Sequence, residues 1–148
     1  IKNNQPFGPI KLGNLDAKRD WSHAKDFIRG IWTILNQDKP KEYILSSGET
    51  HSIREFIELS FKKAEILDGF WFGQRIGESF LRHRTDTDKY VDCLVKINPQ
   101  FYRLADVESL QGDSTLARLE LNWKPEYSFE DLVSCMVKYD IENYNEKE

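Results

Sequence analysis

Apolar positions along the chain recur at spacings that define several elements. Ile10 to Leu12 reads as a short strand after a loop of residues 1–9, where two prolines, a glycine and several amides show no period. From Ser22 a helix is expected: Phe27, Ile28, Ile31, Trp32 and Leu35 form one stripe at helical period, ending near Asp38 ahead of Pro40. The stripe makes Trp32 a core residue, and Gly30 within it calls for close packing, since glycine costs a helix about 1 kcal/mol against alanine. Residues 42–46 (Glu-Tyr-Ile-Leu-Ser) are a short apolar run, as in a strand covered on both faces. Ser52-Ile-Arg-Glu55 is a capping box opening a second helix, whose stripe is Ile53, Phe56, Ile57, Phe61 and Ala64.

The middle of the chain carries less pattern. Residues 67–90 read as a variable loop open to disorder, with Gly69 to Gly73 as at most a strand edge, and mixed charge from Arg75 to Asp88. Val91 to Ile97 alternates as a strand and stops at Asn98-Pro99. Asp113 suits the N-cap of a short helix through Leu116, Ala117 and Leu119, with Asn122 as a left-handed C-cap. Ser128-Phe-Glu-Asp131 opens a last helix bearing Leu132, Val133, Met136, Val137 and Ile141, and residues 142–148 read as a frayed tail. Strand, glycine turn and capped helix alternate as in α/β proteins, within a single region of 148 residues with about four amphipathic helices.

Composition narrows the function. The net charge of −4, from 21 basic and 25 acidic residues, argues against nonspecific nucleic-acid binding. No apolar run approaches the ~20 residues of a membrane span, and no signal-peptide pattern opens the chain. Cys93 and Cys135 lack ligand-like spacing, so they read as buried thiols in a reducing compartment, with no metal site. The chain starts at Ile1 and its only methionine is Met136, which reads as a piece of a longer protein.

The stretch with most chemistry is Asn14-Leu-Asp-Ala-Lys-Arg-Asp-Trp21, followed by Ser22 and His23-Ala-Lys-Asp26. An arginine beside a helix start suits a phosphate, because its guanidinium forks onto oxygens while free N–H groups face the anion. The plainer alternative is an Arg19–Asp20 surface pair at a cap. His51, next to a helix start, reads as a capping or supporting residue.

The Asn14–Trp21 string, together with Gly48-Glu-Thr-His-Ser-Ile-Arg-Glu-Phe56, Phe101-Tyr-Arg103, Gln111-Gly-Asp113 and Asn122-Trp-Lys-Pro125, resembles the GDP-mannose 4,6-dehydratase family of the extended short-chain dehydrogenase/reductases. The resemblance spans most of residues 10–140 and is weakest across 67–92. It implies an α/β fold corresponding to the family's C-terminal, substrate-binding part, without the main nucleotide-binding Rossmann half. It further implies Arg19, Arg103, Asp106 and Asn14 as substrate-binding residues. The sequence departs from the family at Leu104 and Ala105, where Pro and Thr are usual, at Asp106 in place of Glu, and at Ser22 in place of Gly. The reaction implied is loss of water from GDP-mannose to give GDP-4-dehydro-6-deoxymannose, with NADP as cofactor, in a cytoplasmic homo-oligomer. The chain itself has no G-x-G-x-x-G and no Tyr with Lys four residues on, so it is expected to be inactive alone. The alternatives are another nucleotide-sugar dehydratase or epimerase of the superfamily, a non-catalytic nucleotide-sugar-binding or interaction module, and a scaffold that keeps the strings for packing.

Overall fold

The computed structural model describes residues 7–84, 87–103 and 107–144, with backbone alone at 84 and 87–90. Its contacts divide the chain into two compact units. One comprises Ile1–Leu15 and Glu65–Asp106, the other Asp16–Ala64 and Val107–Glu148.

The first unit is built on a sheet. Strands β1 (Ile10–Leu12), β4 (Gly69–Phe72), β5 (Ser79–Arg84) and β6 (Thr87–Ile97) lie in the order β1-β6-β5-β4, with β1 parallel to β6 and the other pairs antiparallel. The strand edge read at Gly69–Gly73 is β4, whereas the rest of residues 67–90, read from the sequence as variable loop, holds β5 and the start of β6. The signal was obscured because the β5–β6 ladder shifts register between Phe80 and Leu81 and again between His83 and Arg84, which breaks the period-2 alternation. Phe80, Leu94, Val95 and Ile97 are its buried apolar residues, Leu94 on the face opposite Val95 and Ile97, and Trp71 tilts against Phe80 at 4.9 Å. A β-carbon on Gly13 would lie 2.3 Å from the Phe101 carbonyl oxygen, so only glycine lets the chain leave β1 along this path.

The second unit holds the four helices: α1 (Ala24–Leu35), α2 (Ile53–Lys63), α3 (Thr115–Leu121) and α4 (Phe129–Glu142). Its small sheet has the order β3-β2-β7, where β2 (Lys18–Arg19) runs antiparallel to β3 (His51–Ser52) and parallel to β7 (Ser109–Leu110). Both capping boxes form: Ser52 Oγ accepts from Glu55 N–H while Glu55 returns to Ser52 N–H, and Ser128 and Asp131 do the same for α4. Asn122 is left-handed at φ 50°, as expected of the α3 C-cap. Trp21 stacks on Phe129 at 5.7 Å and meets Phe56 edge-on at 5.2 Å, filling the space between α2 and α4.

Three expectations are corrected in this unit. Helix α1 is capped by His23 and ends at Leu35, not Ser22 and Asp38. Residues 42–46 join no strand of the described residues. The α1 stripe is also not core: Trp32 is 69% exposed, because the helix buries its opposite side, through Asp26 and Gly30.

Candidate functional site

Arg19 occupies the central strand of the three-stranded sheet, half-buried. Its Nη1 donates to the carbonyls of Lys18 at 2.7 Å and Val107 at 2.8 Å. These bonds hold the guanidinium group against the main chain of residues 18 and 107. The main chain reinforces the arrangement, since Lys18 N–H donates to Glu108 O at 2.7 Å and Asp20 N–H to Leu110 O at 3.0 Å. The first candidate string therefore runs beside residues 107–110.

Asp20 is not a surface partner at a cap. Its Oδ1 accepts from the Ser47 N–H at 2.9 Å and from the Ser47 hydroxyl, and its Oδ2 accepts from the N–H groups of Gly48 at 3.0 Å and Gly112 at 3.3 Å. One carboxylate thus ties the Lys-Arg-Asp-Trp, Gly-Glu-Thr-His and Gln-Gly-Asp strings together. Gln111 Nε2 adds a bond to the Gly48 carbonyl, and Arg118 Nη2 donates to Ser47 O at 2.8 Å. The loops enclose a shallow polar depression lined by Gly48, residues 111–115 and Arg118. Asp113, expected as the N-cap of α3, lies one residue before the observed cap, Ser114. The hydroxyl and N–H of Thr115 hold the Asp113 carboxyl below its usual range.

Asp26 plays the same part for the last matched string. It is fully buried and pairs with Arg29 at 3.0 Å, and it accepts from the N–H groups of Glu126 at 3.0 Å and Tyr127 at 3.2 Å. Its own carbonyl receives the Trp123 indole N–H at 3.0 Å. Sequence reasoning weighed Asp20 only as a surface partner of Arg19 and gave Asp26 no role. Their only signal was that each sits inside a matched string immediately beside a basic or aromatic residue.

The sequence candidates fall as follows. Arg19 lies in the second unit; Asn14, half-buried, and Arg103, exposed, lie in the first; Asp106 lies outside the described residues. His51 stacks on Phe129 at 3.9 Å and 6°, with Nδ1 3.3 Å from Glu55, a supporting place within the α2–α4 packing. Cys93 is half-buried and Cys135 exposed, both free, which corrects the expectation of two buried thiols. Among the described residues no three His, Cys, Asp or Glu side chains are grouped as a metal site, and no helix is long and apolar enough to cross a membrane.

A family model described as GDP-mannose 4,6 dehydratase matches residues 2–136. The chain belongs to the GDP-mannose 4,6 dehydratase family. Across 133 residues it is 42% identical to the family's Drosophila melanogaster member, and across 139 residues 39% identical to the Homo sapiens one; each match covers 90% of this chain. The chain spans only about a third of those relatives, 32% and 34% of their lengths, and corresponds to their C-terminal part. Solved structures share the fold at lower identity. The UDP-glucose 4-epimerase of Bifidobacterium longum, in complex with NAD+ and UDP, has a TM-score of 0.65 at 19% identity, covering 94% of this chain and 36% of that one. The dTDP-glucose 4,6-dehydratase of Bacillus anthracis in complex with NAD has a TM-score of 0.63 at 16% identity, covering 93% and 36%. The α/β fold is thus shared with about a third of each of these structures.

Proposed function

We propose that this chain is the substrate-binding part of a dehydratase acting on GDP-mannose, giving GDP-4-dehydro-6-deoxymannose and water. The family match over residues 2–136 carries the reading. A nucleotide sugar presents a diphosphate, a ribose diol and a hexose, and calls for cations, a carboxylate and polar main chain. Arg19, its guanidinium oriented by two carbonyls, and Arg103 take the diphosphate. Asp106 takes the ribose hydroxyls, one methylene shorter than the Glu usual in the family, and Asn14 completes the polar set. The nicotinamide cofactor, NADP in this reading, would accept and return the hydride. The sequence holds neither a glycine-rich strand-turn-helix for it nor a Tyr-x-x-x-Lys pair, so this chain's residues orient substrate and move no proton. The whole protein is read as a cytoplasmic homo-oligomer.

Titration calorimetry tests the binding. GDP and GDP-mannose should bind, and Arg19→Ala or Arg103→Ala should weaken each by roughly 10- to 100-fold, the worth of a charge-assisted bond. Far-UV circular dichroism should stay unchanged. Equal affinity in all three proteins would sink the assignment. A second reading, a scaffold whose strings serve packing, draws support from Asp20 and Asp26, both spent on main-chain donors. It expects no response to either arginine change.

A further inference from the structure

The sheet that carries Arg19 is made of strands of two residues each: β2 (Lys18–Arg19), β3 (His51–Ser52) and β7 (Ser109–Leu110). Ladders this short hold their register weakly, since strands in folded domains ordinarily run to about five or six residues. The place of Arg19 nevertheless depends on that register. Its Nη1 donates to the Val107 carbonyl at 2.8 Å, and Val107 stands two residues ahead of β7. In turn β7 docks onto β2 through the Lys18 N–H bond to Glu108 O at 2.7 Å and the Asp20 N–H bond to Leu110 O at 3.0 Å.

The side chain next to Arg19 supplies what the ladders lack. Asp20 Oδ2 accepts from Gly112 N–H at 3.3 Å, two residues beyond β7, and from Gly48 N–H at 3.0 Å, three residues ahead of β3. Its Oδ1 accepts from Ser47 N–H at 2.9 Å, so the consecutive N–H groups of Ser47 and Gly48 converge on one carboxylate as they would on a bound anion, with Gly48 at φ 83°. Gly112 comes this close because it has no side chain: a β-carbon there would lie 2.5 Å from Ser46 Cβ. Hydrogen bonds to a charged acceptor are about twice as strong as neutral ones, and these run from the middle strand to the flanks of both its neighbours.

We infer that Asp20 is a positioning residue for the diphosphate end of the proposed site. By clamping Gly112 to the turn at residues 47–48 it fixes β7 against β2, and with β7 the Val107 carbonyl that holds the Arg19 guanidinium. The carboxylate is spent on donors of the protein itself, so it bears on a ligand through Arg19. The consequence for affinity rests on the proposed function, whereas the consequence for β7 does not.

The test is a double-mutant cycle on the 148-residue chain, read by calorimetric titration of GDP-mannose, with amide exchange as a readout that needs no ligand. Asp20→Asn keeps the side-chain volume but replaces one acceptor oxygen by an amide group that cannot accept from a main-chain N–H. It should weaken binding by about 5- to 20-fold in the parent and by less than about 2-fold in Arg19→Ala, the coupling expected of a residue that acts through another. A general loss of structure would instead weaken both backgrounds alike. The Lys18 amide, which reports the docking of β7, should exchange at least about 10-fold faster in Asp20→Asn, while the Leu132 amide of α4 stays within about 2-fold. Should Asp20→Asn not fold, Gly112→Ala takes its place with the same expected outcomes, because it leaves the carboxylate intact and displaces the Gly112 N–H. If the parent binds no GDP-mannose, or Arg19→Ala binds as tightly as the parent, the proposed substrate falls and the Lys18 exchange rate decides the role of Asp20. Equal losses of affinity in the two backgrounds, a Lys18 amide that exchanges no faster, or failure of both variants to fold would overturn the inference.

Discussion

Two aspartates do at the residue scale what a larger core would do elsewhere. Asp26 is buried, and the energy of that arrangement lies in what would be stranded without it: two main-chain N–H groups and Arg29. Asp26→Ala should therefore cost about 3 kcal/mol or more, read as a fall in the urea midpoint at unchanged slope. Exposed carboxylates tell a pH story. The Ser128 hydroxyl and N–H hold the Asp131 carboxyl below its usual range, the Lys41 ammonium and then Tyr43 do so for Glu120, and Lys63 does so for Glu130. A lowered folded-state value adds stability that is complete above the unfolded value, near pH 4, and is lost as the pH falls through the folded value. Thermal stability should decline on acidification below about pH 4, with Glu120→Gln flattening the decline. A Glu120→Gln profile that superimposes on the parent's would refute this.

At the scale of elements, caps were the most readable feature, because a capping box is local chemistry among four residues. Ser128→Ala should lower stability by about 1 kcal/mol, checked by denaturant titration. Gly30 behaves differently. Alanine would favour an isolated helix by about 1 kcal/mol, yet its methyl would meet Leu45 and the Trp123 indole. Gly30→Ala should be net destabilising, and a raised melting temperature would show that Leu45 yields freely. The α1 stripe had the right period and the wrong destination: periodicity identifies an apolar face but not what covers it. The β5–β6 ladder failed for another reason, since its register shifts leave no run of alternation long enough to read.

At the scale of the molecule, the four tryptophans report the asymmetry of the surface. Trp123 is 3% and Trp32 69% exposed. Trp32→Phe should remove the acrylamide-accessible part of the emission and Trp123→Phe the protected part. The reverse order would contradict the orientation of α1. Division into two units was not legible, because each unit is assembled from segments far apart in sequence: residues 1–15 join 65–106, and 16–64 join 107–148. Of the candidate site, Arg19 was singled out from one string as a cation beside a helix start, whereas the strand it occupies and its anchoring to Val107, across 88 positions, were not readable.

Local grammar sufficed to determine the four helices, the two capping boxes and the family resemblance, because those depend on neighbours a few positions apart. Which carboxylates hold the matched strings together, and which face of α1 is left open, were decided only in the tertiary structure. Both depend on which distant segments arrive at the same place, and no spacing along the chain encodes that.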